Sequence, residues 1–210
     1  ASFTLLPIPL YIIMGEVLFR AGLAAKMMDV LDKWLGRLPG RLGLLSVAAG
    51  TIFATLSGAS VASTAVLGSV LVPEMTKRGY SKAMSLGPIL GSGGLAIMIP
   101  PSNLAVLLGA IGEISVGKIL VAIIMPGLLM AAMMAAYIII RCWLKPSLAP
   151  PYEVPPEPLS TRLLDTVRYV LPLGVVVFLV IGLVFVGVAT PSEAAATGAL
   201  GAFALVAAYK

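Results

Sequence analysis

An apolar run interrupted at its middle constrains this chain more than any other feature. Residues 42–73 are predominantly apolar, but small and hydroxyl-bearing side chains interrupt the run at residues 54–62. About fifteen residues flank the break on each side, which at about 1.5 Å per helical residue cannot cover the ~30 Å hydrocarbon core of a bilayer. The run is therefore predicted to be a re-entrant helical hairpin that enters the membrane and returns.

The tip of such a hairpin exposes backbone N–H and C=O groups that have no helical partners. At membrane depth this is tolerated only where protein, water or a bound ion satisfies those groups. The tip is therefore the first candidate binding site, and its residues are Ser57, Gly58, Ala59 and Ser60.

Composition places the chain among membrane proteins. Its 210 residues are 60% hydrophobic and 11% charged, which predicts an all-α polytopic fold of transmembrane helices. Lys and Arg number fourteen against nine Asp and Glu, an excess that we attribute to cytoplasmic loops and not to nucleic-acid binding.

The absence of histidine argues against an enzyme. The chain contains no histidine and one cysteine, Cys142, so metal sites built on these residues and His-based triads are not available. Gly58 and Ser60 match the Gly-x-Ser of a membrane serine protease, but the serine has no imidazole base in this chain. An intramembrane enzyme remains the least favoured alternative.

A second break lies in residues 81–112, where consecutive prolines interrupt a glycine-rich helix. Prolines remove N–H donors and leave upstream carbonyls free, so the segment is predicted to be one discontinuous transmembrane helix. Such helices hold ions and charged substrates in secondary transporters; the alternative is a simple proline kink. The candidate site residues here are Pro100, Pro101, Ser102 and Asn103.

The segments before and after this unit have simpler interpretations. Residues 1–41 are predicted to form a first span and an amphipathic interfacial helix, residues 21–41, with Trp34 as its anchor and Pro39-Gly40 as its end. Glu16 and Arg20 are interpreted as a helical neighbour pair. Residues 113–145 form a long span whose methionines, Met125, Met130, Met133 and Met134, indicate packing or lipid contact.

The last third divides at a proline-rich stretch. Residues 146–161 are predicted to be an extended cytoplasmic linker, and residues 162–210 to be scaffold-type transmembrane helices with a span at 170–188. Thr190 and Glu193 flank Pro191 as in a capping box. The final helix presents small side chains for close packing, namely Ala194, Gly198 and Ala202.

The positions of the charges give the orientation. With a hairpin that does not cross and one crossing by residues 81–112, thirteen of the fourteen basic residues lie on one side and Lys118 lies on the other. The positive-inside rule makes the basic side cytoplasmic. A double crossing by the hairpin gives the same sorting, so the prediction of re-entrance depends on arm length.

Ordered motifs give the chain a family resemblance. They are Ser57-Gly58-Ala59-Ser60-Val61-Ala62-Ser63-Thr64-Ala65 with Leu67-Gly68, Pro73-Glu74-Met75, Arg78-Gly79-Tyr80, Ile99-Pro100-Pro101-Ser102, Ser115-Val116-Gly117, Pro126-Gly127 and Thr190-Pro191-Ser192-Glu193-Ala194-Ala195-Ala196. Together they resemble the large membrane subunit of TRAP (tripartite ATP-independent periplasmic) transporters. One position departs from the pattern: many members carry an aspartate where this chain has Ser63.

The resemblance implies a sodium-driven importer of small organic anions of the carboxylate class, working by an elevator mechanism in a bacterial or archaeal cytoplasmic membrane. It implies two protein partners, a small membrane subunit and an extracytoplasmic substrate-binding protein, and no organic cofactor. It also implies that this chain is about the first half of an inverted-repeat subunit, with residues 42–112 as the transport unit.

On this interpretation the two breaks meet and hold sodium through carbonyl and hydroxyl oxygens, which suit a hard cation. The sodium candidates are Ser57, Gly58, Ser60, Ser102 and Asn103. Two alternatives stay open besides the enzyme: a related ion-coupled transporter that needs no binding protein, and a channel or scaffold subunit.

Overall fold

A computed structural model describes residues 5–36, 38–150 and 158–209, and within these ranges the regular structure is helical, with no strand. Eleven α-helices follow one another among these residues: α1 Pro7–Arg20, α2 Leu23–Leu35, α3 Arg41–Ser57, α4 Ser60–Lys77, α5 Lys82–Met98, α6 Asn103–Ile111, α7 Val116–Ala122, α8 Ile124–Leu144, α9 Leu159–Asp165, α10 Leu171–Phe185 and α11 Pro191–Tyr209. A 3₁₀ turn, Pro146–Leu148, follows α8, and a π-helical segment, Thr166–Val170, joins α9 to α10.

Three continuous helical segments of the described chain are long and apolar enough to cross a membrane: Val116–Leu144, Leu159–Phe185 and Pro191–Tyr209. Two bent pairs raise the number to five if each pair is one span. Lys82–Met98 and Asn103–Ile111 meet at 43°, and Pro7–Arg20 and Ala25–Leu35 meet at 74°. The predicted discontinuous helix is thus present as α5 and α6.

The predicted hairpin is α3 and α4. Gly58 and Ala59 separate the two helices, and Gly58 takes a left-handed φ of 58°. The Leu42 N–H donates to the Tyr80 hydroxyl at 3.5 Å, so the chain returns to the start of α3 after α4. The arms of 17 and 18 residues are about 26 and 27 Å long at the usual helical rise.

The return arm extends further than predicted. We expected the hairpin to end at Pro73, but Pro73 lies inside α4, which continues to Lys77. A proline inside a helix removes one backbone hydrogen bond. Met75, in the continuation, is fully buried, and Glu74 and Arg78 form an ion pair at 2.5 Å; both interactions stabilise the part of α4 beyond Pro73.

Helix α5 packs against both arms of the hairpin through small residues. A methyl group added at Gly50 of α3 would lie 2.4 Å from the Ser92 Cβ. One added at Gly93 would lie 2.1 Å from the Thr64 hydroxyl of α4. Larger side chains at either glycine would separate the helices, so α3, α4 and α5 form one closely packed unit.

A second bundle consists of α1, α10 and α11. The predicted small face of α11 is confirmed, because Ala194, Gly198 and Ala202 are buried. A methyl group at Gly198 would lie 2.4 Å from the Val180 Cγ2 and 3.0 Å from the Met14 sulfur. Phe19 of α1 also stacks edge-on against Phe53 of α3, with ring centroids 5.0 Å apart, which connects this bundle to the hairpin.

The predicted capping box at the start of α11 is confirmed. The Thr190 N–H donates to the Glu193 carboxylate at 2.8 Å, and the Glu193 N–H donates to the Thr190 hydroxyl at 3.3 Å. Glu16 and Arg20 likewise form the predicted neighbour pair at 2.6 Å. Both are local interactions that spacing along one helix determines.

Loss of this cap should destabilise the helix measurably. We expect Thr190→Ala to lower the free energy of unfolding by about 1 kcal/mol, the usual value of an N-cap hydroxyl. Thr197→Ala is the matched control, since its hydroxyl bonds only to carbonyls of its own helix. The free energy of unfolding of both variants would be measured in mixed micelles. An equal decrease in the two variants would contradict the capping role of Thr190.

Three boundaries differ from those predicted around α2 and the linker. Helix α2 ends at Leu35, before Pro39-Gly40, because Gly36 takes a positive φ of 53°; Arg37 lies outside the described residues. The linker is shorter than residues 146–161, since Pro146–Leu148 is a 3₁₀ turn and α9 begins at Leu159. Within the linker, residues 151–157 lie outside the described ranges.

Two described residues of the linker, Leu148 and Ala149, pack back against the protein, whereas Pro146 and Ser147 are exposed. The Leu148 carbonyl accepts the Ser81 N–H at 2.9 Å, and Ala149 is 5% exposed, because these residues cover the start of α5. The following span runs from Leu159 to Phe185 and not from 170 to 188. It ends where Gly187 takes a φ of 75°.

Candidate functional site

The two breaks contact each other. The Asn103 N–H donates to the Gly58 carbonyl at 3.4 Å, which joins the hairpin tip to the break between α5 and α6. The C-terminal ends of α3 and α5 and the N-terminal ends of α4 and α6 therefore come together. Helix C-termini present free carbonyls and N-termini present free N–H groups, so one small region offers ligands for both a cation and an anion.

Gly58 forms the closest part of this junction. A methyl group at its Cα would lie 2.8 Å from the Pro101 carbonyl oxygen and 3.2 Å from the Asn103 amide oxygen. Its φ of 58° is also in the region that side chains disfavour. Two independent constraints thus require glycine here, and the Pro101 and Asn103 oxygens both face the hairpin tip.

The remaining residues of the second break have structural partners. Ser102 is fully buried, and its hydroxyl oxygen accepts the Ala105 N–H at 3.3 Å as the N-cap of α6. That hydroxyl still has a proton and a second lone pair to offer. Pro100 and Pro101 line a small apolar space against α7 and α10, with Leu120 and Val180 among its other residues. Both prolines therefore contribute to packing against these two helices.

On the hairpin side, hydroxyl groups concentrate at the start of α4. The Ala59 carbonyl accepts both the Ser63 N–H at 3.3 Å and the Ser63 hydroxyl at 3.0 Å. The Ser60 carbonyl accepts the Thr64 hydroxyl at 2.9 Å. Ser63 is fully buried, so the position at which the sequence departs from the motif pattern is an internal hydroxyl. The side chain of Ser57 lies outside the described residues.

The junction offers carbonyl and hydroxyl oxygens as possible ligands. The described residues contain no cluster of three or more His, Cys, Asp or Glu side chains. Divalent cations in proteins are held by carboxylates, whereas carbonyl and hydroxyl oxygens suffice for an alkali cation. Oxygen atoms of this kind fit an alkali cation, and Gly58, Ser60, Ser102 and Asn103 remain candidate ligands.

Sequence reasoning missed two supporting positions. Gly93 of α5 lies against Thr64 and Ser60 of α4. A methyl group added at Gly93 would be 3.3 Å from the Ser60 hydroxyl oxygen. Gly127 of α8 lies against the end of α5, where an added methyl group would be 2.5 Å from the Met98 carbonyl oxygen. The Gly93-Gly94 pair and Pro126-Gly127 were visible in the sequence, but which glycine faces a neighbour depends on helix packing.

Comparison with known proteins places the chain in a described group. A family model, "Tripartite ATP-independent periplasmic transporter, DctM component", matches residues 1–210. The chain is 33% identical over 200 residues to the C4-dicarboxylate TRAP transporter large permease protein DctM of Pseudomonas aeruginosa, covering 94% of this chain and 45% of that protein.

Two further relatives have similar identity. The isethionate TRAP transporter permease protein DctMQ of Oleidesulfovibrio alaskensis is 34% identical, with 94% of this chain and 31% of that protein covered. The ectoine TRAP transporter large permease protein TeaC of Halomonas elongata is 33% identical, with 92% of this chain and 44% of that protein covered. The chain thus spans less than half the length of these three relatives.

Proposed function

Since this chain belongs to the DctM component family of tripartite ATP-independent periplasmic transporters, we propose that it forms part of a permease that imports a small organic anion with sodium. The family is one of transporter permease subunits, not of enzymes. The observation that carries the proposal is the contact between the two breaks, Asn103 N–H to Gly58 carbonyl. It brings four helix ends to one place.

Those helix ends have the electrostatics that the proposed cargo requires. The N-terminal ends of α4 and α6 carry partial positive charge and favour an anionic group. The C-terminal ends of α3 and α5 present carbonyls that favour the coupling ion. We propose a carboxylate-class substrate; the relatives' names cover C4-dicarboxylate, isethionate and ectoine.

The proposed mechanism is of the elevator type. Residues 42–112 would move as one unit, a role that the close packing of α5 on both hairpin arms supports. Helix α2 connects this unit to the bundle of α1, α10 and α11. At its C-terminal end, Asp32 pairs with Arg41 at 2.6 Å and Lys33 pairs with Asp165 at 2.9 Å. Trp34 donates to the Thr166 hydroxyl at 2.8 Å.

The proposed assembly follows from the tripartite family. The chain would work in the cytoplasmic membrane of a bacterium or archaeon with a small membrane subunit and an extracytoplasmic substrate-binding protein. The hairpin would open towards the cytoplasm without crossing, and the chain would be the first half of an inverted repeat. The two arms of the hairpin, about 26 and 27 Å long by helical rise, are shorter than the ~30 Å hydrocarbon core.

Sodium-driven accumulation tests the proposal directly. The whole permease, with its small subunit, would be reconstituted in liposomes together with the binding protein and candidate substrate anions. We expect uptake against a concentration gradient only when sodium is imposed outside. Uptake that stops at equal concentrations would indicate a channel, and accumulation without the binding protein would indicate the binding-protein-independent class.

Apparent sodium affinity should respond to the hydroxyls at the junction. We expect Ser60→Ala or Ser102→Ala to weaken it about tenfold to a hundredfold, because a hydrogen-bond-like contact to a charge contributes about 1.5 to 3 kcal/mol. Ser102→Ala also removes the α6 cap, so the stability of each variant would be measured alongside. Unchanged sodium dependence in both variants would rule out these side chains as ligands and leave backbone carbonyls.

A further inference from the structure

A cavity of about 550 Å³ lies between α5 and α8, away from the junction of the two breaks. This volume is within the range of small-molecule sites, about 300 to 1,000 Å³. Its lining is mostly apolar and includes the methionines Met84, Met130, Met133 and Met134. Methionine side chains adapt to irregular apolar partners, so the cavity suits a flexible hydrocarbon chain.

The cavity has one charged end. Among the described residues that line it, Arg141 is the one charged side chain, and it lies near the end of α8. Its guanidinium carbon is 5.9 Å from the centre of the Tyr137 ring, and both side chains are exposed. Tyr137 thus supports the cation at the mouth of an apolar cavity, an arrangement that matches an anionic head with an apolar tail.

The charge sorting gives this mouth an orientation. Lys145 follows Arg141 by four residues, and Lys82 begins α5 directly after Ser81, another lining residue. These residues lie on the basic side of the chain, which the positive-inside rule makes cytoplasmic. The cytoplasmic leaflet is the one that presents anionic lipid to basic residues.

We propose that this cavity binds one anionic phospholipid of the cytoplasmic leaflet, with an acyl chain along the α5–α8 methionines and the phosphate at Arg141. The lipid would cover the outer surface of the α5–α8 contact. The proposal does not depend on the transport reaction, because it concerns a different surface from the junction of the breaks.

Lipid binding to the whole permease tests the headgroup part of the proposal. The complex would be purified in detergent, delipidated and titrated with phosphatidylglycerol or phosphatidylcholine of identical acyl chains, and bound lipid counted by native mass spectrometry. We expect phosphatidylglycerol to bind about fivefold more tightly, the usual effect of one basic residue at an anionic surface. Arg141→Gln should remove this preference, and Arg141→Lys should retain it.

Lys118→Gln is the matched charge control, because it removes a cation from the opposite end of the same span. Ala83→Phe, which fills the cavity, should weaken both lipids, whereas Ala132→Phe, at an exposed alanine outside the lining, should change neither. Equal binding of the two lipids, unaffected by Arg141→Gln, would overturn the proposal. So would a Met133→Cys thiol that crosslinks to protein elsewhere in the complex, since protein would then fill the cavity.

Discussion

Gly58→Ala is expected to abolish transport and to lower the free energy of unfolding by about 2 to 5 kcal/mol. Alanine at this position has to keep the left-handed conformation, which costs about 1 to 2 kcal/mol for a residue with a Cβ atom. It also overlaps the Pro101 carbonyl at 2.8 Å, and such overpacking costs about 1 to 3 kcal/mol. Relief of the overlap separates the two breaks, so the ligands on opposite sides of the junction no longer meet.

Gly187→Ala isolates the conformational part of this effect. Gly187 has a φ of 75°, and an added methyl group would have no atom within 4 Å. Sodium-driven uptake and unfolding would be measured for both variants. Gly187→Ala should lose only about 1 to 2 kcal/mol and keep its uptake rate. If the two variants behaved alike, the contact between the breaks would have no special role in transport.

A crosslink between α1 and α3 should stop transport completely. Phe19 and Phe53 are in ring contact across the boundary between the α1–α10–α11 bundle and the hairpin. If the hairpin unit moves against that bundle, a short thiol crosslinker between Phe19→Cys and Phe53→Cys holds it in one position. We expect substrate binding to persist and uptake to fall to background, measured in a permease whose other cysteines have been replaced.

Two crosslinks that do not cross this boundary serve as controls. Leu42→Cys with Tyr80→Cys, joined by the same crosslinker, lies within the moving unit, where the Leu42 N–H donates to the Tyr80 hydroxyl at 3.5 Å. Val176→Cys with Gly201→Cys lies within the bundle, where an added Gly201 methyl group would be 3.7 Å from the Val176 Cγ2 and 3.9 Å from its Cγ1. Both should leave uptake largely intact. Uptake that survives the Phe19–Phe53 crosslink would refute the elevator mechanism and favour a gate hinged at the hairpin.

Features determined by short stretches of sequence were predictable. The helix break at Gly58, the discontinuity after Met98 and the Thr190–Glu193 capping box all follow from residues a few positions apart. Proline, glycine and hydroxyl side chains change the conformation or hydrogen bonding of the nearby backbone, so the helix breaks and caps that they cause can be predicted from the sequence alone. Two helix ends differ from the prediction. Helix α2 ends before Pro39 because Gly36 takes a positive φ, and α4 continues past Pro73, where Met75 is buried.

Features determined by packing between helices were not predictable. Nothing local indicates that Gly127 must face the Met98 carbonyl, or that Gly93 and not its neighbour Gly94 must face Thr64. The same holds for the linker, where composition indicated an extended chain but the Leu148 carbonyl accepts a hydrogen bond from Ser81. Predicted ligands such as Ser60 and Ser102 have defined positions, yet their role in sodium binding remains a prediction.

The consecutive residues Asp32 and Lys33 tie α2 to two different elements. Arg41 is 4% exposed where it meets Asp32, and its guanidinium also donates to the Asp32 carbonyl at 2.7 Å. Lys33 and Asp165 are 28% and 21% exposed. Asp32 itself is 31% exposed, but Arg41 is the more buried cation and bonds to both the carboxylate and the carbonyl of Asp32. On the proposed elevator movement we therefore expect the Lys33–Asp165 pair, in which both groups are partly exposed, to separate first. On that proposal, helix α2 would travel with the hairpin, and its detachment from the Leu159–Phe185 span would be the salt-sensitive step of the cycle.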